Sequence, residues 1–491
     1  MTIDHVLIST SPGETRTALL THGRLVEILI SRAGGESLVG NVYLGRVASV
    51  NKGLDAAFVD IGTGRDGFLA VAEVRPAGPS SRTNGSKDGI GDYVNEGDEV
   101  LVQVSRDPVE DKGPKLTARM SLPGVNLVFR PQQAGVSISK RIAEAAERGR
   151  LTGIVAKLAR EFETGGGGFI VRTAAAGAET LTLEEEAARL TARWREIEER
   201  ARAASPPRLL LAEVSLAFNA LRDGGGAGIE KIIADDADAL AGVRDFCEAE
   251  MPALAKLAEL HKGPETLFEA YGVEEQIDAA LSPSVPLPGG GSLIISQTPA
   301  LTAIDVNTGG ADEGSPERTA FRVNLEAAHE AARQIRLRNL SGMIVIDFVP
   351  VRDAGLKQEV LDALRQATAA AALSVFIAGT TRLGLVEMTR PRHGPTLLDI
   401  LCGETASAPD AVKSPLTLAL EALRAVLRRR GPGVTLKASP DVIEVLSAPQ
   451  GPGSAALALR QAEERLGLAI GLAPDHTLAE GRYDIVAGEG E

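Results

Sequence analysis

Two aspartates in the second half of the sequence have the setting that metal chemistry needs. Asp305 follows the apolar run in LTAIDVN, and Asp347 follows the apolar run in MIVIDFV. We interpret both runs as buried strands, where a carboxylate is costly unless it binds a cation or accepts hydrogen bonds. On neighbouring strands the two carboxylates would meet at one end of a sheet. Such a pair suits Mg²⁺, which takes one or two carboxylates and keeps several waters.

Asn307 extends this pattern, because it lies two residues after Asp305 and therefore on the same face of the strand. Its amide is placed to orient a carboxylate or to reach a phosphate oxygen. The alternative is that each aspartate only caps a loop or a helix. The pattern by itself leaves that alternative open.

The segment that positions these residues alternates strands and helices over residues 286–400, which is typical of an α/β layer architecture. A proline- and glycine-rich seam at 281–291, LSPSVPLPGGG, precedes it and is interpreted as a domain boundary. Residues 401–414 are predicted to be a linker. Residues 415–491 are predicted to form a small α/β domain that begins with the helix PLTLALEALRAVLRRRG.

The first half of the chain is richer in strands. Residues 39–120 contain five short strands with regular turn signals, which favours a small barrel of the OB-fold type; their sequences are VGNVYLGRVASVN, LDAAFVDIG, RDGFLAVAEV, DEVLVQVSRD and KLTARMSL. Residues 1–38 predict a strand and a β-hairpin. Residues 121–219 mix strand and helix, and residues 220–285 continue the α/β pattern with a helix over ADDADALAGVRDFCEAEMPALAKLAELH.

Bulk properties favour a globular cytoplasmic protein. A chain of 491 residues predicts about three domains at roughly 150 residues each. Its two cysteines, Cys247 and Cys402, are far apart, which argues against a disulfide framework. The N-terminus MTIDHVLIST lacks the features of a signal peptide. No apolar run approaches the roughly 18 residues of a membrane span, so no membrane span is expected.

The net charge of −14 argues against nucleic-acid binding over the whole surface, because phosphate contacts need Lys and Arg. Local clusters can override the global sum. An RNA site is therefore expected as a local basic groove on an acidic protein. The candidate clusters are Lys140 with Arg141, the RQIRLR run from Arg333 to Arg338, Arg390 with Arg392, and Arg428 to Arg430.

The longer motifs around the aspartates resemble the ribonuclease E/G family. They are TPALTAIDVNTGG, ERTAFRVNLEAAHEAARQIRLRNLSGMIVIDFV and TTRLGLVEMTRPR. Upstream, GNVYLGRVASVNKGLDAAFVDIGTGRDGFLAVAEV resembles the family's S1-type RNA-binding domain. SLPGVNLVFRP and GGFIVRTAAAG resemble its sensor for the RNA 5′ end. The resemblance covers roughly residues 1–400, in the family's order.

The resemblance implies an α/β multidomain fold in which an S1-type OB-fold barrel and a 5′-sensor are inserted into an RNase H-like domain. The RNase H-like domain is assigned to residues 1–38 and 220–285, the barrel to 39–120 and the sensor to 121–219. Residues 286–400 would form a DNase I-like catalytic domain.

The resemblance also implies the chemistry. Asp305 and Asp347 would hold a catalytic Mg²⁺, for which Mn²⁺ could substitute, and Asn307 would support them. A metal held there would activate water and stabilise the charge that grows on the phosphate. The expected activity is endonucleolytic cleavage of single-stranded RNA that leaves 5′-phosphate products, in rRNA or mRNA processing or decay.

Further residues are carried over as RNA contacts. In the barrel, Phe58 and Phe68 would stack on bases and Lys112 would add a basic contact; the pattern alone makes the two phenylalanines core residues. Near the cut, Arg382 and Arg390 would hold backbone phosphates, with solvated charges as the alternative. The sensor for a 5′-monophosphate would consist of Gly124, Val128, Arg172 and Thr173, where the alternative for Arg172 is a surface ion pair.

Three departures from the family pattern stand out. Its CPxC motif is missing from LCGETASAPDAVKSP, so Cys402 is alone and no zinc is expected. A homodimer is possible but would not be zinc-linked. Pro350 in IDFVPV occupies the position where the family often has a second aspartate. The chain ends at residue 491, which resembles the shorter, G-like members.

The leading hypothesis is therefore an active endoribonuclease. The rival is a catalytically impaired RNA-binding protein of the same family, favoured by the missing zinc motif and by Pro350. A third hypothesis is a phosphodiesterase that acts on DNA, because a DNase I-like layer also supports DNA cleavage.

Overall fold

The computed structural model describes most of the chain. The described ranges are 2–35, 37–74, 89–108, 112–162, 166–213, 216–224, 226, 228–371, 373–392, 394–403, 411–428, 433–449, 454–478 and 482–487. Over these ranges, no helix combines the length and the apolar character that crossing a bilayer requires.

The strands are short and are distributed over the whole chain. In chain order they are β1 His5–Ser11, β2 Glu14–Thr21, β3 Arg24–Arg32, β4 Val42–Asn51, β5 Ala56–Asp60, β6 Gly67–Ala70, β7 Glu99–Arg106, β8 Lys115–Thr117, β9 Leu122–Pro123, β10 Leu127–Arg130, β11 Gly135–Ile138, β12 Gly168–Val171, β13 Arg208–Leu211, β14 Lys231–Ala234, β15 Ala258–Leu260, β16 Ser284–Pro286, β17 Ser292–Gln297, β18 Leu301–Asn307, β19 Gly342–Asp347, β20 Phe376–Thr380, β21 Val386–Arg390, β22 Val434–Ala438, β23 Ile470–Pro474 and β24 Tyr483–Ala487.

The helices vary from single turns to 24 residues. In chain order they are α1 Val71–Val74, α2 Ala145–Glu161, α3 Thr180–Ala203, α4 Leu216–Gly224, α5 Ala237–Glu250, α6 Pro252–Ala255, α7 Leu267–Ala270, α8 Val273–Leu281, α9 Pro316–Leu337, α10 Ala354–Ala370, α11 Leu397–Cys402, α12 Pro415–Val426, α13 Pro440–Ser447 and α14 Ala455–Leu466. Two 3₁₀ turns lie at Ile90–Asp92 and Thr173–Ala175.

The chain divides into two compact units. The first unit comprises residues 1–36, 228–244 and 256–491, and the second comprises residues 37–227 and 245–255. The finer division into segments, made from the sequence, stays a prediction.

The second unit contains a closed barrel. Its strands follow the order β4-β5-β6-β8-β7, β7 pairs back with β4, and β13 extends the other edge of β4. All five strands predicted from the sequence are present, so the predicted small barrel is confirmed. Two glycines let the strands close, because a Cβ on Gly45 would lie 2.5 Å from Val59 Cγ1 and one on Gly67 would lie 2.4 Å from Leu116 Cδ1.

The rest of the second unit is a four-stranded sheet with helices packed against it. The strand order is β11-β12-β10-β9, and α2 and α3 bury Leu151, Val155, Leu183 and Leu190 against Phe129 and Phe169 of the sheet. Leu183 and Leu190 thus belong to an apolar stripe along α3 that packs in the core.

The N-terminal sheet of the first unit has the order β15-β14-β1-β2-β3. β1 to β3 form an antiparallel meander, whereas β14 runs parallel to β1 and to β15. One prediction is wrong here. The sequence up to His261 was expected to be helical, but Ala258–Leu260 forms strand β15, where pairing with β14 outweighs local helix propensity.

The second sheet of the first unit has the order β16-β17-β18-β19-β21-β20. α9 covers one face of it with small residues, among them Ala327, Ala328 and Ala331, which are fully buried and allow close approach to the strands. Ser315 caps the start of α9 and Asp353 caps the start of α10, each accepting a backbone N–H. The remaining sheet, β23-β22-β24, packs with α12 to α14.

The seam at 281–291 follows α8 and contributes a strand to the second sheet, and its role as a domain boundary stays a prediction. Residues Ser284–Pro286 form β16, which pairs antiparallel with β17 and makes the edge of the second sheet. Prolines fit there, because an edge strand has one side without ladder hydrogen bonds.

The arginine run from 333 to 338 is also not an RNA-binding patch. Arg333 pairs with Glu330 at 2.6 Å, and Arg336 pairs with Glu27 at 2.6 Å. Arg338 donates to Gln334, and burial lowers the pKa of its guanidinium to about 10. The run lies along a buried helix face, so its charges hold the first unit together. In another predicted cluster, Arg429 and Arg430 lie outside the described residues.

A buried carboxylate links strand β2 to helix α12. Glu14 is 3% exposed and receives Arg16 at 2.6 Å, Arg32 at 2.9 Å and Arg424 at 3.1 Å. Burial alone would raise the pKa of the Glu14 carboxyl, but Arg16, Arg424 and Arg32 hold it below its usual range. Three guanidinium groups therefore share this carboxylate, and Arg16 is paired with Glu421 as well.

We expect Glu14→Gln to destabilise the first unit by about 3–5 kcal/mol, because it removes the buried carboxylate that the three arginines share. A lowered pKa means that the carboxylate stabilises the fold above its unfolded-state pKa of about 4.3, and that this contribution is lost as pH falls through the lower folded-state value. Wild type should therefore lose stability below about pH 4 more steeply than the variant. Urea denaturation across this pH range measures both effects.

The matched control is Glu259→Gln, which removes the same charge from an exposed pair with Lys231 and should cost less than about 1 kcal/mol. Equal urea midpoints for Glu14→Gln and wild type would contradict the role of this network.

Candidate carboxylate site and RNA-contact surfaces

The parallel register of two strands brings the predicted aspartates together. Asp305 on β18 is the register partner of Asp347 on β19, and neighbouring strands lie about 4.8 Å apart. Asn307 Nδ2 donates to Asp305 Oδ2 at 2.9 Å. The structure thus places the three residues in one cluster at the ends of adjacent strands.

Both carboxylates are exposed, which corrects the interpretation of their strands as fully buried. Ile304 and Ile346, which precede the aspartates, are 1% and 0% exposed and point into the core below α9. Side chains alternate along a strand, so Asp305 and Asp347 project from the opposite, open face. The apolar runs obscured this alternation, because Ala303 and Val345 also lie on the open face.

The donor set fits a hard divalent cation. Two carboxylates with an orienting amide leave room for the waters and phosphate oxygens that Mg²⁺ prefers. Within the described ranges, no group of three or more His, Cys, Asp or Glu residues is placed to hold a metal ion. A metal at Asp305 and Asp347 would therefore complete its coordination with water or substrate.

The segment after Asp347 is fixed by two polar clamps. Asn324, buried in α9, donates to Val349 O at 2.8 Å and accepts from Val349 N at 2.9 Å. Glu317 accepts from Arg352 N at 2.8 Å. Pro350 lies exposed between the two clamps. The course of the chain past the carboxylates is therefore set by α9.

The two arginines predicted to lie near the cut occupy different places. Arg382 is exposed in the turn between β20 and β21. Arg390 is the register partner of Gly342 and lies on the covered face of the sheet, opposite the carboxylates. Its Nη1 donates to Asn339 Oδ1 and to Leu340 O, both at 2.8 Å. A phosphate contact by Arg390 stays a prediction, but the side chain already anchors the end of α9.

In the barrel, the two predicted aromatics face each other. Phe58 on β5 and Phe68 on β6 are cross-strand partners, half-buried, with ring centroids 5.9 Å apart in an edge-to-face arrangement. Both rings are more exposed than the fully buried residues of the core. They leave a ring surface on the outside of the barrel.

Basic residues flank this aromatic pair. Lys112 is exposed, and the next residue, Gly113, packs so closely that a Cβ would lie 1.9 Å from Asp66 O. The chain then runs parallel to β6, which makes Lys115 the register partner of Phe68. Lys115 is an exposed cation beside the aromatics that the sequence did not single out.

The predicted sensor residues converge around the β9–β10 turn and the end of β12. Arg172 Nη1 donates to Gly124 O at 2.6 Å, and Thr173 Oγ1 lies 2.9 Å from Ser139 Oγ. Val128 is half-buried on β10, opposite Ile170 of β12. The Arg172 guanidinium and the hydroxyls of Thr173 and Ser139 therefore belong to the same end of the sheet, where β10 begins and β11 and β12 end; this end is the sensor edge.

A buried carboxylate supports this edge from below. Glu186 of α3 is 1% exposed and accepts from Asn126 N at 2.9 Å, Asn126 Nδ2 at 2.8 Å and Leu127 N at 3.1 Å. A Cβ on Gly124 would lie 2.1 Å from Glu186 Oε1, so a larger residue there would displace the carboxylate from its hydrogen bonds. Burial raises the pKa of the Glu186 carboxyl, although its bonds to Leu127 and Asn126 oppose that shift.

Sequence reasoning missed Glu186, Ser139 and Lys115. A signal existed for Glu186, since it lies on the apolar stripe of α3 three residues after Leu183 and four before Leu190. No local signal marks Ser139 or Lys115, because their neighbours come from distant parts of the chain.

Comparison with known proteins decides the family. A model of the ribonuclease E/G family matches residues 121–393, and a model of the S1 RNA-binding domain matches residues 38–119. The chain belongs to the ribonuclease E/G family. The resemblance drawn from the motifs is confirmed, and the closed barrel is its S1 domain.

The similarity extends over nearly the whole chain in the shorter relatives. Ribonuclease G of Salmonella typhimurium is 35% identical over 98% of this chain and 99% of its own length. Ribonuclease G of Haemophilus influenzae is 37% identical over 86% of this chain and 87% of its own length. Ribonuclease E of Escherichia coli is 37% identical over 79% of this chain but only 37% of its own length.

The position of the family's zinc motif is only partly described. Cys402 ends α11 and is half-buried as a free thiol, and burial raises its pKa. Residues 404–410, which follow it, lie outside the described residues. The absence of a zinc link stays a prediction from the sequence.

We expect Glu186→Gln to destabilise the second unit by about 1–3 kcal/mol. An acceptor-only carboxylate becomes an amide whose NH₂ faces backbone N–H donors, which leaves buried donors unsatisfied. Urea denaturation measures the loss. The neighbouring exposed Glu185→Gln is the matched control and should stay within about 0.5 kcal/mol of wild type. Equal effects of the two substitutions would show that Glu186 does not support the edge.

Proposed function

We propose that the protein is a metal-dependent endoribonuclease that cleaves single-stranded RNA in RNA processing or decay. The observation that carries the proposal is the register pairing of Asp305 with Asp347, with Asn307 bonded to Asp305, in a chain of the ribonuclease E/G family. The names of the relatives support ribonuclease activity. The S1 domain supports RNA as the substrate.

In this proposal Asp305 and Asp347, paired in register on β18 and β19, would hold Mg²⁺ or Mn²⁺. Such an ion, when bound, would stabilise negative charge on the scissile phosphate and lower the pKa of a water molecule for attack on it. Asn307 keeps the Asp305 carboxylate oriented through its hydrogen bond. Water attacks phosphorus and the 3′-oxygen of the upstream nucleotide leaves, so the downstream product keeps a 5′-phosphate.

The barrel holds the single strand. Half-buried rings at Phe58 and Phe68 offer stacking surfaces for bases, which is a sequence-tolerant way to bind single strands. Lys112 and Lys115 provide charges for the backbone beside those rings. This local group of aromatic and basic side chains provides a surface for RNA despite the net charge of −14.

The edge formed by Gly124, Val128, Arg172 and Thr173 is proposed to recognise a 5′-monophosphate. A guanidinium and a hydroxyl are suitable donors for phosphate oxygens. Exposed Lys140 and Arg141 lie on the segment that follows β11, next to Ser139, and add positive charge to the same edge.

We propose the finer fold assignments on the same basis. The order β15-β14-β1-β2-β3, with only β2 antiparallel to both neighbours, supports an RNase H-like domain. The two-layer α/β sheet that carries the aspartates supports a DNase I-like domain. A cytoplasmic location completes the proposal.

We expect Asp305→Asn and Asp347→Asn each to reduce RNA cleavage by more than about a hundredfold, because each removes a charged metal ligand, and Asn307→Ala to reduce it by about 10- to 100-fold. A 5′-monophosphorylated single-stranded oligonucleotide in Mg²⁺ provides the assay. RNA binding in EDTA should be unchanged in all three variants.

Asp362→Asn is the charge-matched control, since Asp362 lies on α10 in an exposed pair with Arg365. Undiminished cleavage by both aspartate variants would refute the site. Binding without cleavage by wild type in Mg²⁺ and in Mn²⁺ would favour the catalytically impaired RNA-binding protein. Equal cleavage of a matched DNA would favour the broader phosphodiesterase.

We expect Phe58→Ala and Phe68→Ala each to weaken RNA binding by about 1–3 kcal/mol through the loss of base stacking. Fluorescence anisotropy with an oligonucleotide in EDTA measures the affinity. Leu181→Ala removes another exposed apolar side chain of the second unit and should leave affinity unchanged. Unchanged affinity in both phenylalanine variants would remove the barrel from the binding surface.

A further inference from the structure

The guanidinium of Arg172 is already occupied by a carboxylate. Its Nη2 donates to Asp223 Oδ1 at 2.8 Å, while its Nη1 donates to Gly124 O at 2.6 Å. The side chain of Arg172 is 23% exposed and that of Asp223 is 57% exposed. A carboxylate therefore holds one arm of the guanidinium at a solvent-accessible edge.

The same carboxylate oxygen has a second cation within reach. Arg222 Nε lies 3.7 Å from Asp223 Oδ1. The other nitrogens of Arg222 donate to Glu213 at 2.9 Å and to Asn219 at 2.6 Å, and its side chain is 7% exposed. Within the described part of the chain, this buried Nε has no hydrogen-bond partner. Asp223 thus lies between two guanidinium groups and is fully engaged by only one of them.

A carboxylate and a phosphate compete for the same donors, since both are anions that accept charge-assisted hydrogen bonds from arginine. A 5′-monophosphate carries about −1.5 to −2 charges at pH 7. Its approach to Arg172 would place this charge beside the Asp223 carboxylate, which like-charge repulsion disfavours. A 5′-hydroxyl end brings no such charge and leaves the Arg172–Asp223 pair intact.

We propose that Asp223 is a specificity-determining residue that competes with the RNA 5′-monophosphate for Arg172. The inference rests on the proposed recognition of the 5′ end and goes beyond it. Asp223 compensates the arginine in the free protein. When a terminal phosphate arrives, the carboxylate gives up Arg172 and turns towards the unpaired Nε of Arg222. The strength of 5′-end recognition is then set by the difference in free energy between pairing Arg172 with Asp223 and pairing it with the terminal phosphate.

The decisive variant is Asp223→Asn, which keeps the size of the side chain and removes its charge. We expect its affinity for a 5′-monophosphorylated oligonucleotide to rise about three- to tenfold over wild type. The substitution removes both the ion pair that competes for Arg172 and the repulsion between the Asp223 carboxylate and the phosphate. Affinity for the same oligonucleotide with a 5′-hydroxyl should stay constant. Fluorescence anisotropy of the full chain in EDTA, which prevents cleavage, measures both.

Two further variants accompany it. Asp245→Asn removes the same charge from another exposed position of the second unit and should change neither affinity. Arg172→Gln should abolish the preference for the 5′-monophosphate. Thermal melting of each variant identifies any loss of folding, and Asp223→Ser is the second substitution if Asp223→Asn melts below wild type.

The outcomes separate the two proposals. If wild type prefers the monophosphate, Arg172→Gln loses the preference and Asp223→Asn equals or falls below wild type, 5′-end recognition stands and the competing role of Asp223 is overturned. If wild type shows no preference but Asp223→Asn gains one, the competing role is supported. If no variant distinguishes the two ends, both proposals fall.

Discussion

The parallel register that places Asp305 beside Asp347 is the constraint on which the proposed chemistry depends. Two like charges on neighbouring strands repel each other, by about 1 kcal/mol at 4 Å in water, so the strand ends that carry them must be held by other interactions. The alanine-rich face of α9 packs against the covered face of the sheet, opposite the carboxylates. Asn324 and Glu317 fix the chain beyond Asp347. The two carboxylates are thus exposed and repel each other, whereas the packing of α9 and two side-chain clamps hold the strands that carry them.

Carboxylates in this protein fall into classes according to what compensates them. Glu14 is buried among arginines, and Glu186 is buried among backbone amides. Among the described residues, Asp305 and Asp347 form no ion pair with a basic side chain, and their one described side-chain bond is the donation from Asn307 to Asp305. The first two are compensated by the fold itself. The last two have no cationic side chain as a partner among the described residues, which is the arrangement that the proposed metal site requires.

The sequence predicted what local patterns determine. The five barrel strands and the cluster of Asp305, Asn307 and Asp347 follow from apolar runs, turn signals and the family motifs. Prediction from the sequence failed where the role of a residue depends on contacts that its local sequence does not reveal. Arg333 was assigned to a surface groove because a run of arginines gives no sign of the buried carboxylates that meet it, and Asp223 carries no local mark of its contact with Arg172. The exposure of the aspartates was misjudged because apolar residues occupy both faces of their strands.

The hydrogen bonds around Pro350 show how this residue affects the segment after Asp347. The family pattern often has an aspartate there, and its replacement was a reason to doubt catalysis. Proline lacks an N–H and fixes its own backbone angle, so it fits a segment whose neighbours supply the hydrogen bonds. Val349 is bonded in both directions by Asn324, and Arg352 N is bonded by Glu317. The segment therefore keeps its course past Asp347 without a contribution from residue 350, and the exposed proline leaves the arrangement of the two carboxylates intact.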